Sequence, residues 1–175
     1  DNFNLSHNFH FPDKFVYFHY KHRLFDYLLN WELKDIKNFL TFMNTKYENV
    51  LFSSEINDRK LNDYFSDSYN TYDFNNKAYF SKNKENIYFL KDIDGYDLFD
   101  AVKKSNKIIA PEGIITHIGY FLKKPILALM HFNLINRKDF ISQIISCREW
   151  FPPNDYKFIV LKKDYLKSIQ KITKR

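Results

Sequence analysis

The chain has 175 residues, a formal charge of +6, 45% hydrophobic and 19% aromatic residues, and a single cysteine. That length buries the core of one ordinary domain, and no apolar run approaches the ~18 residues of a membrane span or has the layout of a signal peptide. Cys147 alone excludes an internal disulfide and a cysteine-built zinc site. Phe, Tyr, Asn, Lys and Ile are abundant throughout while Gly and Pro are scarce. Basic residues between aromatics would otherwise suggest single-stranded nucleic acid; as a bias of the whole chain they do not, and no nucleic-acid partner is expected.

Residues 1–14 are polar and irregular, a loop or linker, and the chain opens on Asp1 rather than Met, as a trimmed chain would. His7 and His10 stand three apart, but Pro12 and the lack of carboxylate partners argue against a metal site there, and none is expected elsewhere. Residues 15–20, FVYFHY, make a first strand that is apolar except for His19. The loop at 21–30 opens with Lys21, His22 and Arg23, cations that could face a diphosphate or simply solvent. Residues 31–44 place Trp31, Leu33, Ile36, Phe39, Leu40 and Met43 at helical spacing, a core-facing stripe. A second strand at 50–53 ends in Ser53, Ser54 and Glu55 as its loop, followed by a short helix over 58–65. The polar stretch 66–86 predicts a loop with at most one short strand.

Residues 87–130 are the most ordered part of the pattern. Runs at 87–90, 107–110 and 126–130 are apolar without alternation, as strands buried on both faces are. Leu98, Phe99, Ala101 and Val102 give one helical face between the first two; Ile114, Ile115, Ile118, Phe121 and Leu122 give another before Pro125. This βαβαβ alternation predicts parallel strands with right-handed crossovers, and ligands in such sheets sit where strand ends meet helix starts. Asp92 and the loop to Tyr96 therefore share a rim with residues 111–117. Asp94, just before Gly95, suits a helix cap. Gly113 suits either a tight turn or an anion seat. All three glycines of the chain lie in this part.

Beyond 130 the pattern loosens into a loop at 131–136, a helix at 137–146, a rigid turn at Trp150 to Pro153, a short strand at 158–161 and a closing helix at 164–173. Between Lys157 and Arg175 lie seven basic residues and one acid, while the rest of the chain carries 20 of each sign. The body is neutral and the tail basic. Such a tail is either the solvated face of a docked helix or a contact for anionic lipid. Taken together, the elements predict a three-layer α/β/α Rossmann-like sandwich over residues 15–175, with a parallel sheet in the order 3-2-1-4-5.

The run APEGIITHIGYFLKKPILAL, residues 110–129, resembles the signature of family 9, heptosyltransferase-like glycosyltransferases. There an acidic residue, a small turn and a histidine precede a helix, then a Lys-Pro and an apolar strand. Glu112 and His117 take the acid and the histidine at the same five-residue separation, Thr116 the small position before it, and Lys124-Pro125 the Lys-Pro. The acid is Glu rather than Asp, and Gly113 stands one place early, with Ile114 where the family has glycine. Trp31 after a basic loop is a weaker point of similarity.

The resemblance implies the C-terminal, donor-binding half of a GT-B enzyme, with the acceptor domain outside this chain. Its substrates would be a nucleotide-sugar donor and a glycan or glycolipid acceptor, in the cytoplasm or at the membrane periphery, with no cofactor. The donor would be held by Lys21, Arg23, Ser54, Glu55, Asp92, Glu112, Gly113, Thr116 and His117. The general base would come from the missing acceptor domain. Asp92-Ile93-Asp94 matches the metal-binding DxD of other transferases by letters alone. A fucosyltransferase- or sialyltransferase-type domain shares the architecture with other rim residues, and a non-catalytic nucleotide- or glycan-binding module is the third reading.

Overall fold

The computed structural model describes residues 12–54, 61, 70–74, 78–82, 86–91, 94–131 and 156–161. The pairs of expectations on His7 and His10, on Glu55 and Asp92, and on the helices at 58–65, 137–146 and 164–173 with their basic tail lie largely or wholly outside these residues.

Its centre is one eight-stranded sheet. In chain order the strands are β1 (Val16–Tyr20), β2 (Val50–Ser54), β3 (Asn70–Phe74), β4 (Ala78–Lys82), β5 (Ile87–Lys91), β6 (Lys107–Pro111), β7 (Ile126–His131) and β8 (Tyr156–Leu161). Their spatial order is β3-β4-β5-β2-β1-β6-β7-β8. The run β5-β2-β1-β6-β7 is parallel throughout and is the expected 3-2-1-4-5 order, a Rossmann-like arrangement; β8 adds a sixth parallel strand beside β7. The expectation for residues 66–86 is corrected. Two strands form there, an antiparallel pair that extends the sheet past β5.

Among the described residues three α-helices cover the sheet: α1 (Leu33–Asn44), α2 (Gly95–Lys104) and α3 (Ile114–Phe121). Side chains alternate along each strand, so β1 sends Phe18 and Tyr20 to one face and Tyr17 and His19 to the other. On the first face α1 buries Ile36, Phe39, Leu40 and Met43 against Phe18, Phe52 and Phe89. Phe18 meets Phe39 and Phe52 with ring centroids 4.9 and 5.6 Å apart. On the second face α2 and α3 bury Ala101, Val102 and Ile115 against Tyr17, Leu51, Ile108 and Ala110. The described aromatics Phe18, Phe39, Phe52 and Phe89 thus serve packing.

Boundaries depart from the sequence pattern in small, explicable ways. The loop after β1 contains a π-helical segment, Arg23–Leu28, closed by Leu29 N–H on the Leu24 carbonyl at 3.1 Å. Trp31 precedes rather than opens α1, whose cap is Glu32 paired reciprocally with Asp35. Strand β2 runs one residue past the expected 50–53, taking in Ser54, and both Ser53 and Ser54 are buried. Helix α3 stops at Phe121, before Pro125: Lys123 takes φ +54°, and Lys124 N–H closes back on the Gly119 carbonyl at 2.9 Å. Among the described residues no helix is long and apolar enough to cross a membrane.

Candidate functional site

The chain leaves β1 for α1 on one face and leaves β6 for α3 on the opposite face. The loops after these adjacent strands therefore diverge and open a crevice at their carboxyl ends, the place where ligands bind in open parallel sheets. Lys21 follows β1; Glu112 and Gly113 follow β6. A Cβ built on Gly113 would lie 3.3 Å from the Lys21 Nζ, so the ammonium sits over the glycine turn. Residues 92 positions apart, each noted separately in the sequence, meet here.

Gly113 adopts φ +151° and ψ −156°, a conformation essentially restricted to glycine. As the residue before α3 it offers no side-chain cap to the helix. Thr116 instead reaches back: its hydroxyl accepts from Gly113 N–H at 3.1 Å and donates to the Gly113 carbonyl at 2.7 Å. Thr116 is fully buried, so it clamps the turn and does not itself face the crevice. The Gly113 amide is likewise engaged, leaving the first-turn amides of Ile114, Ile115 and Thr116 as the uncapped donors of α3. His117 is exposed in the next position and gives its own N–H to the Gly113 carbonyl. Glu112 is half-buried beside the turn, its N–H 3.4 Å from the Leu129 carbonyl.

The cationic trio after β1 divides. Lys21 is half-buried at the crevice and makes no ion pair among the described residues. His22 pairs through Nδ1 with Asp26, which also accepts from the Tyr20 hydroxyl. Arg23 is exposed. One cation of the three is therefore set into the crevice, one is tied to the π-helical segment and one faces solvent. Ser54 is buried at the end of β2. Asp94 caps α2, accepting from Tyr96 N–H and Asp97 N–H at 2.9 Å each, the role its spacing suggested. Burial and the neighbouring Asp94 raise the Asp97 carboxyl above its ordinary range.

A second polar group lies on the α2–α3 face of the same rim. Tyr17, His19 and Ser53 touch one another across β1 and β2: Tyr17 Oη is 2.5 Å from Ser53 Oγ, which is 3.0 Å from His19 Nδ1. Burial raises the Tyr17 hydroxyl well above the ordinary phenol range. Burial, then the charge of Lys21, pushes His19 down to about 4. The imidazole is therefore neutral at physiological pH. The sequence carried one signal for this group, His19 as the only polar residue in an apolar strand. Its partner Ser53 read as the last residue of the second strand and the first of its loop.

Two apolar side chains stand exposed at the helix starts on this rim, Tyr96 in α2 at 73% and Ile114 in α3 at 68%. Among the described residues no cluster of His, Cys, Asp and Glu has the makings of a metal site. No family model, characterised protein or solved structure matches the chain.

Proposed function

We propose that the chain is the donor-binding domain of a glycosyltransferase and that the β1–β6 crevice holds the diphosphate of a nucleotide sugar. The observation that carries this reading is the Lys21 ammonium seated over the Gly113 turn, beside uncapped amides of α3. A diphosphate with nearly two negative charges needs this combination: a fixed cation, N–H groups converging from a helix start, and a turn with no side chain in the way. The motif from Glu112 to His117 supports the same placement, with His117 at the exposed edge to meet a phosphate oxygen and Glu112 to accept from the ribose hydroxyls. Tyr96 offers an exposed ring at the same rim for the base. Thr116 contributes by holding the turn. In this reading the group that activates the acceptor hydroxyl comes from an acceptor-side domain, and the acceptor is a glycan or glycolipid.

A thermal-shift series with ADP-, GDP-, UDP- and CMP-sugars tests it. One nucleotide should stand out, since a ligand at about 100 times its Kd stabilises the fold by about 2.7 kcal/mol. Silence from all four nucleotides would leave the crevice without the donor.

A further inference from the structure

The Tyr17–Ser53–His19 group has one consistent assignment of protons. Tyr17 and Ser53 are both fully buried, and their hydroxyls find no side-chain partner among the described residues outside this group. A phenol this strongly biased to its neutral form must place its proton on an acceptor. The nearest is Ser53 Oγ at 2.5 Å; the alternative, His19 Nδ1, is 3.5 Å away. With Tyr17 donating to Ser53, the Ser53 hydroxyl turns to His19 Nδ1 at 3.0 Å, which must then accept. The opposite direction, Nδ1–H to Ser53 and Ser53 to Tyr17, leaves the buried phenol proton with no acceptor. Ser53 Oγ could also accept from both Tyr17 and Nδ1–H, but the buried Ser53 proton would then have no acceptor in the group; placing both hydroxyl protons makes Nδ1 an acceptor and puts the ring proton on Nε2.

We propose that Tyr17 and Ser53 are positioning residues whose hydroxyl chain fixes His19 as the Nε2–H tautomer, so that the end of the central strand presents a neutral hydrogen-bond donor to a phosphate oxygen in the crevice. Both hydrogen bonds of the ring run through Nδ1, and His19 is half-buried rather than enclosed, which leaves Nε2 for an incoming group. Lys21 lies two residues on and disfavours a second cation, so a donor without charge is what this position can offer. Register supports the placement: His19 pairs with Ser53 across β1 and β2, while Ala110 of β6 lies on the same face with a side chain too small to close the site. The identity of the ligand rests on the donor reading above; the tautomer does not.

Histidine-labelled protein, observed by long-range nitrogen–proton correlation with His19→Gln for assignment, tests both parts on the full chain. The wild type should hold the Nε2–H form from about pH 5.5 to 8, and inorganic pyrophosphate should move the Nε2 resonance. Ser53→Ala should show mixed tautomers and bind pyrophosphate about tenfold more weakly, and Ser53→Thr should restore both. Tyr17→Phe gives the second route if a Ser53 variant does not fold, and should loosen the tautomer in the same direction. An Nδ1–H or cationic His19 in the wild type, or an unaltered tautomer in Ser53→Ala, overturns the proposal. Pyrophosphate binding without any response at Nε2 also overturns it, while leaving the donor reading standing. A fixed tautomer that responds to pyrophosphate in a protein that binds no nucleotide sugar supports the proposal and removes the donor reading.

Discussion

Gly113 carries two constraints on one atom. Its φ of +151° strains any side chain, and the added Cβ would press on Lys21 Nζ at 3.3 Å. Gly113→Ala should therefore cost about 1–3 kcal/mol in urea unfolding, from backbone strain, and should weaken anion binding by displacing the ammonium. Lys21→Ala should lower affinity alone, with stability within about 0.5 kcal/mol of the parent. Equal stability loss in both would mean that Lys21 holds the turn and does not serve a ligand. His19 gives a pH signature. Its folded value, about 4, lies below the ordinary 6.5, so the unfolded chain takes up the proton first as the pH falls. The stabilising contribution is complete above about pH 6.5 and drains away toward pH 4, by up to about 3 kcal/mol. The fall in stability over that window should shrink in His19→Gln; an identical acid limb in the variant would show that His19 is not held neutral. These residues also mark what letters alone convey. Thr116 read as a ligand group within the motif and Ser54 as one at a strand end; both are buried, Thr116 clamping the Gly113 turn and Ser54 ending β2.

At the scale of elements, α3 shows why the second face is sensitive. It has eight residues and lies close enough to the sheet that a Cβ on Gly119 would come 2.3 Å from Ile108 Cδ1 and 3.2 Å from Ile126 Cδ1. Overpacking of this kind costs about 1–3 kcal/mol, against about 1 kcal/mol gained by replacing glycine inside a helix. Gly119→Ala should be net destabilising by about 1 kcal/mol in denaturant unfolding; a stabilised variant would mean that the two isoleucines swing aside freely. Most elements were legible because a strand buried on both faces, such as residues 108–110, has no polar residue to interrupt its run. The hairpin of β3 and β4 was not. NTYDF and AYFSK carry few aliphatics, and the pair joins the sheet through β4 on β5 with β3 on β4, a pairing that no apolar pattern reports. The site divides in the same way. Lys21 and Gly113 each stood out, but their contact exists only because β1 and β6 are neighbours, and His19 meets Ser53 only because β1 pairs with β2 in that register.

For the whole molecule, charge separates from fold. The +6 resides between Lys157 and Arg175, and the remaining chain is balanced. If that run meets anionic lipid, the full chain should pellet with phosphatidylglycerol vesicles at low salt and release at high salt, each basic residue being worth about 1 kcal/mol near such a surface. A chain ending at Lys163 should stay in solution. Equal behaviour of the two would remove the membrane role. Titration calorimetry tests the crevice between β1 and β6 as the donor site. The nucleotide sugar selected by thermal shift is titrated into the parent and into Lys21→Ala. Binding to the parent should be saturable and the variant should lose about tenfold or more in affinity, the worth of one charge-assisted contact to phosphate. Undiminished affinity in Lys21→Ala, with the parent binding normally, would contradict a donor site in the crevice.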